Sequence, residues 1–193
     1  VKAVLALNVL RDQLDRYGEI DKTAKFIESA GEKAEVFVFN SQDPLLAKAA
    51  ERLDAGKAKI NSFGVVNKLT SKIQNEQNMF SKTAETAKKA NFSLADVVEK
   101  HNQQQIILDC RGEELRTTLK LEGLHNALNA TAVCALLADI EPVEYAKMFV
   151  AINTMHAPFG RGEMLELNNK MVTVALVKNP SGYTHNLETF VQN

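Results

Sequence analysis

The 193-residue chain predicts an α/β fold: a parallel sheet with flanking helices, followed by the start of a second α/β domain. Three observations carry that expectation. Val1 to Val9 is an apolar run of the kind that forms a strand buried on both faces. Ala34 to Phe39 is a second such run, rich in Val and Phe. Between them Asp21 can cap a helix from Lys22 to Ala30, and Gly31 can stop it, so strand and helix alternate.

The remaining elements follow from the same signals. Pro44, acceptable in a first helical turn, begins a helix through Ala55. From Lys68 to Gln105 the chain turns polar, rich in Gln, Asn and Lys, and reads as an insertion. Ser93 is expected to cap a helix there from Ser93 to Lys100. Gln105 to Cys110 and Glu114 to Leu121, joined through Arg111 and Gly112, predict a hairpin. A helix from His125 to Leu137 is apolar on nearly every side and is therefore expected to be buried. Asn126 and Asn129 lie three residues apart on one of its faces. A helix from Pro142 to Asn153 and a strand from Met171 to Lys178 close the series. The expected division is a first domain over 1–139, carrying the insertion at about 68–105, and the beginning of another over 140–193.

Composition narrows the function. Lys plus Arg number 23 against 24 Asp plus Glu, a formal net charge of −1, so the basic excess that nucleic acid demands is missing. No apolar stretch is long enough to span a bilayer and the N-terminus lacks signal-peptide order, which places the chain in the cytoplasm. Cys110 and Cys134 have no Cys-x-x-Cys spacing and are expected to be buried reduced thiols. The histidines show no metal spacing, and no metal ligand is assigned.

Some candidate residues stand out by position alone. Asn8 and Asp12, after the opening strand, would lie in the crevice where open α/β sheets bind ligands. Alternatively Asp12, Asp15 and Arg16 are helix-start charges in surface pairs. Arg161, between Gly160 and Gly162, can approach a ribose or phosphate closely; the other reading is an exposed turn arginine paired with Glu163.

Six blocks, in one order, then point to a family. Asn8-Val-Leu-Arg-Asp-Gln-Leu-Asp-Arg-Tyr-Gly-Glu19 resembles the Mur ligase segment that leaves the central sheet beside the ATP phosphates, with Gln13 where most members carry histidine. Phe39-Asn-Ser-Gln-Asp-Pro44 resembles Asn-Ala-Asp-Asp-Pro of that family, and Ser62-Phe-Gly64 its Thr-Phe-Gly element. Leu121-Glu-Gly-Leu-His-Asn-Ala-Leu-Asn-Ala130 resembles its Gly-x-His-Asn-x-x-Asn-Ala segment. Phe159-Gly-Arg-Gly-Glu163 and Leu176-Val-Lys-Asn-Pro-Ser-Gly182 are similar to the nucleotide-facing start of its C-terminal domain. The first and last blocks look most like the MurT-type branch. The four-cysteine zinc ribbon typical of that branch is missing from the sequence.

The resemblance implies a function. A Mur-type ligase passes the ATP γ-phosphate to a carboxylate, and an amine or ammonia then displaces phosphate from the acyl phosphate. The MurT-type form implies amidation of the D-glutamate α-carboxylate of lipid II to D-isoglutamine, with ammonia from a GatD-like glutamine amidotransferase subunit in a heterodimer. ATP and Mg2+ are the implied cofactors. Asn8, Asn126, Asn129, Arg161 and Glu163 are the implied nucleotide contacts, and Asp12, Lys178 and Asn179 the implied catalytic groups. No Gly-x-x-x-x-Gly-Lys-Ser/Thr loop occurs, whereas the resemblance implies one ahead of the opening strand. These 193 residues are therefore expected to be a fragment that does not turn over ATP alone. Two alternatives stand beside this reading: an amino-acid-adding Mur-type ligase, including the folylpolyglutamate-synthase-like branch, and a noncatalytic Mur-fold binding protein.

Overall fold

The computed structural model describes residues 1–9, 19–54, 56–71, 89–100, 103–141, 144–156 and 161–177, with Tyr183 and Leu187, and for 161–164 the backbone alone. Six strands form one sheet in the order β1 (Ala3–Ala6), β2 (Val36–Asn40), β3 (Lys59–Val65), β4 (Phe92–Lys100), β5 (Gln103–Cys110) and β6 (Glu113–Leu119). The first four pair in parallel, with Leu5 opposite Val38, Val38 opposite Asn61 and Phe63 opposite Phe92. The last three pair antiparallel. The helices are α1 (Ile20–Gly31), α2 (Pro44–Leu53), the short α3 (Asn67–Thr70), α4 (Leu124–Ile140) and α5 (Tyr145–Asn153). β7 (Arg161–Leu167) and β8 (Lys170–Ala175) make a separate two-stranded sheet, turning through Asn168 and Asn169, both at positive φ.

The parallel strands are covered on both sides, as the continuous apolar runs predict. Alternate residues of β1 and β2 enter opposite cores: Val4, Ala6 and Phe37 face α1 and α2, while Leu5, Val36 and Val38 face α4. α1 and α2 pack against each other on their side, where Arg52 and Glu28 form a two-pronged ion pair with both distances at 2.6 Å. α4 crosses beneath β1 to β4 on the other side. Its buried positions are small, Ala127, Ala130, Thr131, Ala132, Cys134 and Ala135, so the helix lies close on the sheet. Met148 and Ile152 of α5 join that same core.

Several expectations are corrected. Ser93 to Lys100 is not a helix but most of β4; Ser93 is buried, and its hydroxyl donates to the carbonyl of Ala90 at 3.4 Å. Two neighbouring strands supply hydrogen bonds along this segment, which local capping chemistry cannot outweigh. β3 arises where no strand is expected. Its polar Asn61 and Ser62 break the apolar pattern, yet Asn61 can be 1% exposed because both the nitrogen and the oxygen of its amide are paired. Asn61 Nδ2 donates to the carbonyl of Ala135 at 2.9 Å, and its Oδ1 accepts from Asn91 Nδ2 at 3.0 Å and Ser62 N at 2.9 Å. Asp21 is not the cap of α1; Glu19 holds the cap position without a side-chain bond, and Asp21 sits in the first turn. Gly31 is the last residue of α1 and packs against α2.

The β5–β6 turn at Arg111 and Gly112 is as expected, with both residues at positive φ, 56° and 95°. Arg111 tolerates that conformation because its side chain is held: NH2 lies 2.6 Å from Asp139 Oδ1 and the guanidinium 5.2 Å from the Phe92 ring. Both cysteines are free and buried. Among the described residues no helix is long and apolar enough to cross a membrane.

Candidate functional site

Parallel sheets bind ligands beyond the carboxyl ends of their strands, and here that edge is built by the segments following β1, β2 and β3. Asn8 is exposed and Val9 buried directly after β1. The direction of α4 brings a further pair of residues to the same edge. Its carboxyl end is tied to the amino edge of the sheet: Asp139 Oδ1 meets Lys59 Nζ at 2.6 Å, and Glu141 meets Lys2 Nζ at 3.0 Å. Seventeen residues at about 1.5 Å each span about 25 Å, enough to cross β1 to β3 from end to end at about 3.3 Å per strand residue. The start of α4, with Asn126 and Asn129, therefore lies at the carboxyl edge, where Gln104 of β5, opposite Glu99 near the end of β4, bonds the carbonyls of Leu121 and Gly123 just ahead of the helix.

The edge is cross-linked by one loop. Asp43, 7% exposed, caps α2 by accepting from Leu45 N at 2.9 Å and Leu46 N at 3.1 Å with Oδ1, and Pro44 fills the first helical position. Its other oxygen accepts from Val9 N at 2.7 Å. Burial pushes the Asp43 carboxyl above the usual carboxylate range, partly offset by hydrogen bonds from Val9, Leu46 and Leu45. Gln42 grips β3 as a strand would: Nε2 donates to the carbonyl of Val65 at 3.0 Å and Oε1 accepts from Val65 N at 3.0 Å. The loop lies so flat that a Cβ at Gly64 would sit 2.9 Å from Ser41 Oγ.

This arrangement has known counterparts. No protein-family model matches the chain. The chain is 26% identical over 209 aligned residues to the lipid II isoglutaminyl synthase (glutamine-hydrolyzing) subunit MurT of Streptococcus pneumoniae (strain ATCC BAA-255 / R6), an alignment taking in 94% of this chain and 45% of that protein. MurF from Acinetobacter baumannii superposes with a TM-score of 0.75 at 15% identity, covering 99% of this chain and 37% of that one. MurF ligase from Thermotoga maritima, solved in complex with ADP, superposes with a TM-score of 0.67 at 14% identity, covering 95% and 38%. The chain has the Mur ligase fold. It spans less than half the length of these relatives.

Within the Mur ligase fold, the expected site residues fall into three groups. Asn8, Asn126 and Asn129 share the carboxyl edge. Asn8 and Asn129 are exposed, while Asn126 is half-buried and donates through Nδ2 to the carbonyl of Glu122 at 2.7 Å. That bond holds the turn before α4, whose cap position is Gly123 at φ 89°. The backbone of Arg161 and Glu163 lies in β7, where Arg161 pairs with Ala175 and Glu163 with Val174 across a register shift. Asp12, Lys178 and Asn179 lie outside the described residues.

Sequence reasoning missed Gln42 and Asp43 as parts of the edge. Asp-Pro at a helix start is a legible capping signal for Asp43, but nothing local announces its bond to Val9. Gln104 was also missed: fully buried, it donates through Nε2 to the carbonyls of Leu121 at 2.6 Å and Gly123 at 3.0 Å, setting the entry to α4.

Among the described residues no group of three or more His, Cys, Asp or Glu side chains is placed to hold a metal ion. Beside Asn8, an apolar groove of about 510 Å³ runs between the outer side of β1 and α1, lined in part by Leu5, Leu7, Phe26 and Ile27. Its lining suits packing rather than phosphate binding.

Proposed function

We propose that this chain forms part of an ATP-dependent carbon–nitrogen ligase that amidates the D-glutamate α-carboxylate of lipid II to D-isoglutamine. The observation that carries the reading is the 26% identity to a MurT subunit across 94% of the chain. The shared edge of Asn8, Asn126 and Asn129 supports it.

In this reading residues 1–139 end the nucleotide-binding domain and 140–193 begin the next. Asn126 and Asn129 present side-chain amides, which both donate and accept, to the adenine. Asn8 and Asp12 face the phosphates, and Arg161 with Glu163 holds the nucleotide from the following domain. Lys178 and Asn179 close over it, where a cation and an amide neutralise the charge that develops as the γ-phosphoryl group moves to the carboxylate. Ammonia then attacks the acyl carbon and phosphate leaves. A GatD-like glutamine amidotransferase subunit supplies that ammonia. ATP and Mg2+ are the cofactors; magnesium would help neutralise the phosphates.

Nucleotide binding tests the site. The full-length protein should bind ADP, and Arg161→Ala should weaken binding roughly 10-fold, the loss of a charge-assisted contact of about 1.5 kcal/mol. Unchanged affinity removes Arg161 from the site, and a wild-type protein that binds no nucleotide contradicts the reading as a whole.

A further inference from the structure

The loop between β2 and α2 does more than cap a helix. Asp43 divides its carboxylate, one oxygen for α2 and the other for the backbone of Val9, 34 residues away in sequence. Val9 follows Asn8, so the bond fixes the chain directly after that exposed residue at the carboxyl end of β1. Gln42, next in the chain, anchors the same loop to both backbone groups of Val65 and, at 3.3 Å, to Thr70 Oγ1. Three carboxyl-end segments are thus held in register by two adjacent side chains. Asn126 and Asn129 stand on α4, outside this linkage.

We infer that Asp43 is a positioning residue for the ligase reaction, acting through Val9 to hold Asn8 toward the nucleotide phosphates. The inference rests on the reading under Proposed function. Its consequence is selective. The adenine contacts on α4 are untouched by Asp43, so losing the Val9 bond should slow phosphoryl transfer more than it weakens nucleotide binding. Small misplacements of reacting groups are costly in rate.

Two substitutions separate the cap from the positioning bond. Asp43→Asn keeps one oxygen for the cap but turns an N–H toward the N–H of Val9. Asp43→Ser keeps a capping hydroxyl that does not reach Val9. Both are made in the full-length enzyme and assayed with lipid II, glutamine and the amidotransferase subunit at varied ATP, alongside urea denaturation. The expected result is a fall in kcat of roughly 10- to 100-fold per folded molecule. KM for ATP should stay within about threefold, the pattern of an interaction made mainly in the transition state. A kcat within about twofold of wild type in folded Asp43→Ser overturns the inference, whether or not Asp43→Asn folds. So does a loss of activity that only tracks the unfolded fraction. A wild-type enzyme inactive with ATP overturns the functional reading first and this one with it, whereas an active wild type matched by both variants overturns the positioning role alone.

Discussion

Asn61 donates its side-chain amide to the carbonyl of Ala135 at 2.9 Å, joining the middle of β3 to α4 through the core. The bond helps set where α4 lies, and with it the position of Asn126 and Asn129 at the far end of the helix. Asn61→Ala removes three hydrogen bonds from a site 1% exposed; of the partners, Ala135 is buried, Ser62 half-buried and Asn91 exposed. The expected cost is about 2–3 kcal/mol, read as a lower urea midpoint at unchanged m-value. A change below about 0.5 kcal/mol contradicts this role.

Asp139 carries an acid-sensitive part of the stability. Burial alone would raise its carboxyl, but the hydrogen bonds and charges of Lys59 and Arg111 outweigh burial and hold it below the usual carboxylate range. A depressed folded value means that the stabilisation is present above the ordinary aspartate value of about 3.9 and is lost as pH falls below it. Asp139→Asn should therefore destabilise by about 1–3 kcal/mol at pH 7, a figure that allows for the exposure of both cations. The gap between variant and wild type should narrow toward pH 3 in matched denaturation curves.

Gly31 is held by packing. A Cβ there would lie 2.6 Å from Leu53 Cδ1 and 2.9 Å from Phe37 Cδ2, and both neighbours are buried. Alanine gains up to about 1 kcal/mol of helix propensity, against overpacking of about 1–3 kcal/mol. Gly31→Ala should be net destabilising. In the Leu53→Ala background its cost should shrink or reverse, which a double-mutant cycle measures.

The cysteines should be slow to react in the folded state. Burial pushes the thiols of Cys110 and Cys134 up to about 12, leaving almost no thiolate at neutral pH. Alkylation by iodoacetamide at pH 8 should be at least about 100-fold slower than after unfolding in urea. Rapid labelling without denaturant would show that the core around α4 opens readily.

What was legible in the sequence was what apolar periodicity encodes. The β1 and β2 runs, the Pro44 helix start, the hairpin at Arg111 and Gly112 and the buried α4 all announce themselves locally. β3 does not, because Asn61 and Ser62 look like loop residues until Ala135 and Asn91 supply their partners. β4 misleads because Ser93 resembles a cap, while the strands on either side decide its conformation. At the site, Asn8 is legible from its position after the opening strand, Asn126 and Asn129 as nucleotide contacts only through resemblance, and the direction of α4 brings that pair to the carboxyl edge. The reach of Asp43 to Val9 is purely tertiary and leaves no local signal.

The most direct test of the central claim is amidation of lipid II by the full-length protein with its amidotransferase subunit, supplied with ATP and glutamine. D-isoglutamine should form only with ATP and, with glutamine as nitrogen source, only with both subunits. ATP-dependent addition of a free amino acid without the partner would contradict it, as would the absence of any ATP-dependent product.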